Sequence, residues 1–157
     1  MTVFSDDPID PNDRMSLPIA LMGYGGLIPF FAPAFLSWMG VTTLFGVGVI
    51  AAGQAYGAVI LSFLGGIRWG LAVSPVFQAN RTIDIVGSVV PSLLGWVALL
   101  MPPTAGIAML IAGFIGQLVW DLAAAQNGLI PKWFRDLRVM LTIGAVISMA
   151  LLLPELA

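Results

Sequence analysis

Hydrophobic positions in this chain do not alternate with polar ones. They run in long blocks, separated by short clusters of glycine, proline, asparagine and charge. The blocks are Pro18 to Met39, Leu44 to Val73, Ile83 to Met101, Thr104 to Ala124 and Leu137 to Leu153. A hydrocarbon core about 30 Å thick takes about 20 apolar residues in a helix. Lipid leaves open backbone groups unsatisfied, and the blocks lack the period-two pattern of a strand with a watery lumen, so helix is the predicted state throughout. The separators carry turn chemistry: Gly40 to Thr43, Ser74 to Thr82 with Pro75 and Asn80, Pro102 with Pro103, and Asn127, Gly128 and Pro131. The pattern predicts an all-α membrane protein with five transmembrane helices. Residues 1–16, with Asp6, Asp7, Asp10 and Asp13 and no apolar period, read as an acidic mobile tail ahead of a single transmembrane domain, 17–157. A cleavable leader needs a basic start, so the first span is expected to stay.

Charge adds orientation. The basic residues are Arg14, Arg68, Arg81, Lys132, Arg135 and Arg138. If five spans alternate, all of them fall on one side or at its boundary, which the positive-inside rule makes the cytoplasmic side. The expected orientation is therefore amino terminus cytoplasmic and carboxyl terminus outside, which is the periplasmic side in a bacterial inner membrane. The tryptophans fit this arrangement as interface anchors, Trp38 and Trp96 on the outer side and Trp69, Trp120 and Trp133 on the inner.

Composition narrows the chemistry. The chain is 59% hydrophobic and only 9% charged, with a mean hydropathy of +1.01, where an ordinary soluble domain carries about 25% charged residues. It has neither histidine nor cysteine. That excludes an imidazole base, thiolate chemistry, disulfides and the usual zinc and haem ligand sets. A net charge of -2 without a basic run gives no footing for nucleic acid. The expectation is a protein that is not an enzyme, with no metal and no cofactor of its own, although a bound lipid or quinone fits such a bundle.

Small residues recur along the second span at Gly53, Gly57, Ser62, Gly66 and Gly70. Such spacing lets helices approach closely in lipid, so the second helix is expected at the centre of the bundle. A weak echo links Ser62–Leu71 with Gly113–Leu122, and Pro33–Trp38 with Pro91–Trp96. It would make spans one and two a parallel repeat of three and four, with the fifth span unmatched. Pro29 and Pro33 are expected to kink the first span, and Pro91 the third.

The ionisable residues at the span ends are the sharpest candidates. At 1.5 Å per residue, Arg68 and Asp121 both fall near the inner boundary and can meet. Asp84 opens the third span at the same depth, where the helix dipole favours a carboxylate, and Arg138 opens the fifth. Arg68 has three readings: it snorkels to lipid phosphate, it pairs with Asp121 or Asp84, or it holds an anionic ligand. Gln117 and Asp121 share a helical face. With Gln54, Tyr56, Ser88 and Ser92 they form either a polar seam or ordinary interhelical hydrogen bonds. Asp84 with Asp121 also offers two carboxylates for acid–base or metal work, and near three arginines they form an ion-pair network at least as readily.

The run Leu21-Met-Gly-Tyr24-Gly-Gly-Leu-Ile-Pro29-Phe30, then Tyr56 through Ser62 to Arg68-Trp69-Gly70, resembles the small membrane-protein family that includes mitochondrial transmembrane protein 69. The likeness continues through Pro91–Trp96 and Pro131–Arg138. It implies a multispan protein of bacterial inner or mitochondrial membranes and carries no settled activity. Relatives often show histidine beside this tryptophan where the chain has Arg68, so no histidine-dependent chemistry transfers. The expected function is that of an accessory or assembly subunit of a larger membrane complex, with a membrane-protein partner. The alternative is a small carrier or binder of a quinone or lipid.

Overall fold

The computed structural model describes residues 15–74 and 81–153, with the side chain of Arg81 left out. The acidic tail with Arg14, and Pro75 and Asn80 of the second separator, lie outside the described residues. The first span is two helices, α1 (Leu17–Gly25) and α2 (Ile28–Trp38). A two-stranded hairpin follows, β1 (Thr43–Leu44) and β2 (Val47–Gly48), and then four helices: α3 (Val49–Val73), α4 (Arg81–Leu100), α5 (Pro103–Gln126) and α6 (Lys132–Ala150). Leu17–Trp38, Val49–Val73, Thr82–Leu100 and Pro103–Gln126 are long and apolar enough to cross a membrane. The fifth rod, α6, opens with Lys132, Arg135, Asp136 and Arg138 and becomes predominantly apolar only from Val139 onward.

The break in the first span falls at Gly26–Leu27, ahead of the prolines rather than at them. Pro29 lacks the N–H that would bond back to Gly25, and it sits in the first turn of α2, where a missing donor costs little. Pro33 is accommodated inside α2, and α4 runs on through Pro91. In lipid the freed carbonyls need donors. The Tyr56 hydroxyl donates to Gly26 O at 2.9 Å and so ties the break to α3.

The expected second span, 44–73, is corrected at its start. Leu44 and Val47 pair in an antiparallel register across Phe45 and Gly46, both with positive φ (51° and 80°), so helix begins only at Val49. This is the backbone of a tight two-residue hairpin turn, in which glycine is at ease and phenylalanine is not.

Helix α3 is the centre of the bundle and touches α2, α4, α5 and α6. Its glycines are used differently from the expectation. Gly53 packs on Pro33 and Leu152, and Gly57 on Leu110 and Met149. Gly66 and Gly70 face open space and pack against nothing. The close α3–α4 crossing instead uses Gly65, where a Cβ would collide with Ser88 O, and Gly95, where one would lie 2.9 Å from Ala58 O and 3.3 Å from the Ser62 hydroxyl. Leu61, Ile107, Leu110, Phe114 and Met149 fill the core between α3, α5 and α6.

The two echoing segments do not behave alike. Phe63 is exposed where its counterpart Phe114 is buried, and Trp69 faces outward where Trp120 turns into the bundle. At the far end, Trp38 donates to Leu151 O at 3.2 Å, joining the end of α2 to the end of α6.

Candidate functional site

Four charged side chains from four helices converge at one end of the bundle. Arg68 lies near the end of α3, Asp84 in the first turn of α4, Asp121 near the end of α5 and Arg138 in the second turn of α6. Asp121 is the hub. Its Oδ1 accepts from Arg68 Nε at 3.1 Å, and its Oδ2 accepts from Arg138 Nε at 2.7 Å. Arg68 Nη1 stands 3.9 Å from Asp84 Oδ1, close enough for charge attraction but too far for a hydrogen bond. Of the three readings of Arg68, this geometry realises pairing, with Asp121 first and Asp84 second.

All four are buried, with relative exposures of 3% for Arg68, 7% for Asp84, 6% for Asp121 and 5% for Arg138. Two cations face two carboxylates, so the cluster is neutral in sum. Shared Asp121 leaves the Arg138 side the less neutralised, because Asp84 leans on Arg68. The carboxylate of α6, Asp136, is exposed and pairs with Arg135 at 2.7 Å. The Arg68 guanidinium also lies 4.7 Å from the Trp120 ring centroid, a cation–π contact worth about 0.5–2 kcal/mol. Gly87 makes the room for it, since a Cβ there would run into that ring. Trp120, expected as an interface anchor, is thus part of the ion cluster.

Hydrogen bonding is incomplete at this site. Arg68 Nη2, Arg138 Nη2 and Thr142 Oγ1 are buried without a partner, as is Trp133 Nε1. Trp133 packs edge-on against Phe134. Arg138 and Thr142, one turn apart on α6, share the wall of a cleft of about 140 Å³. The rest of that wall is apolar apart from backbone: Met22 and Leu27 of the broken first span, Phe30, Leu64, Phe114 and their neighbours.

The other candidate residues are placed elsewhere. Gln54 donates to Ala98 O at 2.6 Å, crossing from α3 to α4 where Gly106 of α5 leaves room for the amide. Tyr56 is engaged with Gly26, and Ser88 bonds back to Ile85 O within α4 at 2.7 Å. Gln117 is buried and lines a separate cleft between α4 and α5 with Gly87, Pro91 and Trp120. These groups do not merge into one polar seam. Trp38, Trp69 and Trp96 are exposed on the outside of the bundle. Sequence reasoning missed Thr142. Its spacing of four from Arg138 was the available signal.

The family described as "protein of unknown function (DUF3429)" matches residues 15–154. Transmembrane protein 69 of Xenopus tropicalis is 41% identical over 135 residues, which cover 84% of this chain and 52% of the frog protein. Transmembrane protein 69 of Mus musculus is 37% identical over 135 residues, covering 83% of this chain and 53% of the mouse protein. The chain spans about half the length of these curated relatives. No solved structure matches.

Proposed function

Since the chain belongs to the transmembrane protein 69 (DUF3429) family and is embedded in a membrane, we propose that it acts without catalysis, as an accessory or assembly subunit of a larger membrane complex. One observation carries this reading: the bundle turns Arg68, Asp84, Asp121 and Arg138 inward onto one another and presents an apolar flank. The first span is the least covered of the four helices long and apolar enough to cross a membrane. Its outer half, with Phe31, Phe35 and Trp38, borders an open groove of about 560 Å³. Lateral contact is the action such a surface offers, and the partner is a transmembrane helix of another protein. The same reading places the chain in the inner membrane of a bacterium, with the basic end of the bundle cytoplasmic.

A photoreactive amino acid at Phe35, activated in intact membranes, tests it. The expected result is a discrete protein adduct that is absent when the same group replaces Val86 on the exposed face of α4. Adducts with lipid alone at both positions would count against the proposal.

The second reading divides. Carrier activity has little support: Gln54 and Tyr56, the polar groups deeper in the bundle, hold backbone carbonyls of neighbouring elements, and no charged side chain lies among them to couple an ion. Lipid binding has one specific observation in its favour, the unpartnered donors of the Arg138 cleft.

A further inference from the structure

We propose that the cleft beside Arg138 and Thr142 binds the carboxylate of a single-chain fatty acid, whose hydrocarbon tail lies between the broken first span and α3. The proposal deepens the lipid-binding reading and rests on it.

Two donors in the cleft wall lack acceptors, Arg138 Nη2 and Thr142 Oγ1. Both residues are more than nine-tenths buried, at 5% and 3% exposure. An unmatched donor inside a bundle surrounded by hydrocarbon costs free energy until an acceptor reaches it. A carboxylate has two acceptor oxygens, one for the guanidinium and one for the hydroxyl. The charge arrangement selects an anion over a neutral carbonyl. Arg138 has only a share of Asp121, Asp84 is drawn to Arg68, and Asp136 is taken by Arg135 at the surface.

The size of the cleft selects a single chain. A dry cavity of about 150 Å³ holds a molecule the size of benzene, and this one, at about 140 Å³, takes one chain's width and no glycerol-phosphate head. Its mouth opens toward lipid. Met22 and Phe63 in the wall are exposed, and Gly23, Gly26 and Leu27 at the helix break line the cleft beside them.

The test uses the purified full chain in uncharged detergent and dodecanoic acid isotope-labelled at its carboxyl carbon. A distinct protein-bound carboxyl resonance is expected. It should ionise about one pH unit or more below the same acid in empty micelles, because a neighbouring guanidinium favours the anion. Methyl dodecanoate, with the same chain and no charge, should not displace it. Thr142→Val keeps the shape and removes the hydroxyl. This variant should unfold at the same temperature as the parent or higher, since it deletes a buried group without a partner, and should bind the acid about tenfold more weakly.

No bound resonance, equal binding by Thr142→Val, or displacement by the methyl ester or by decylubiquinone at matched concentration would overturn the proposal. Should the valine variant fail to fold, the acid-against-ester comparison on the unmodified protein decides alone. Native mass spectrometry separates the two levels. Retention of some other lipid or of a quinone, with no binding of the acid, sinks the fatty-acid site and leaves lipid binding standing, whereas retention of no lipid at all sinks both.

Discussion

Asp121 gives each carboxylate oxygen to an arginine from a different helix, and that geometry sets how much its loss should matter. Replacing it by asparagine leaves Arg68 and Arg138 buried with Asp84 as the one remaining carboxylate of the cluster, at 3.9 Å from Arg68. Removing one partner of a buried pair costs about 3–5 kcal/mol. Asp84→Asn removes a longer contact and a helix-dipole term of about 0.3–1 kcal/mol, so it should be the milder change. Thermal unfolding in mild detergent should rank parent above Asp84→Asn and Asp84→Asn above Asp121→Asn. A reversed order would mean that Asp84 holds the arginines. The meeting of Arg68 with Asp121 was legible in the sequence because depth along a helix is a matter of counting residues. The orphaned hydroxyl of Thr142 was not, since whether a threonine is satisfied depends on its rotamer and on which neighbours crowd it.

Elements repeat the lesson with backbone in place of charge. Central placement of α3 followed from its small residues, but the face that carries the closest approach did not. Gly53 with Gly57, and Ser62 with Gly66 and Gly70, offer three four-residue spacings, and only three-dimensional packing chooses Gly65, one position away from the expected Gly66. The choice has a measurable consequence. Gly65→Ala pushes a methyl into the Ser88 carbonyl and should destabilise by about 1–3 kcal/mol. Gly66→Ala meets nothing within 4 Å and should be neutral or stabilising by up to about 1 kcal/mol through helix propensity. Matched unfolding curves for the two variants check this, and equal losses would discard the assigned crossing face. The hairpin escaped the sequence reading for a related reason. Leu44, Phe45 and Val47 are hydrophobic and merged with the following span, and nothing in hydropathy reveals that Phe45 adopts a positive φ with 97% of its surface exposed.

At the scale of the molecule the question is how the bundle is threaded. The Trp38–Leu151 bond sets the end of α6 beside the end of α2 and hence beside the hairpin. Arg138, near the start of α6, meets Arg68 and Asp121 at the opposite end. Helix α6 therefore runs the length of the bundle despite its polar first turns, and the described residues traverse it five times. With no cysteine in the sequence, single cysteines report accessibility without background. Phe45→Cys at the hairpin tip and a cysteine appended after Ala157 should react with a membrane-impermeant thiol reagent added outside intact cells. Asn127→Cys, in the turn at the basic end, should react only after the membrane is opened. Labelling of the appended cysteine together with Asn127→Cys, rather than with Phe45→Cys, would mean that α6 lies along the surface, and the four-charge cluster would then have to form at an interface instead of inside the bundle. The converse pattern, with Asn127→Cys reactive from outside, would keep the fold and invert its orientation, bringing the positive charges to the face where the membrane's own charge bias does not favour them.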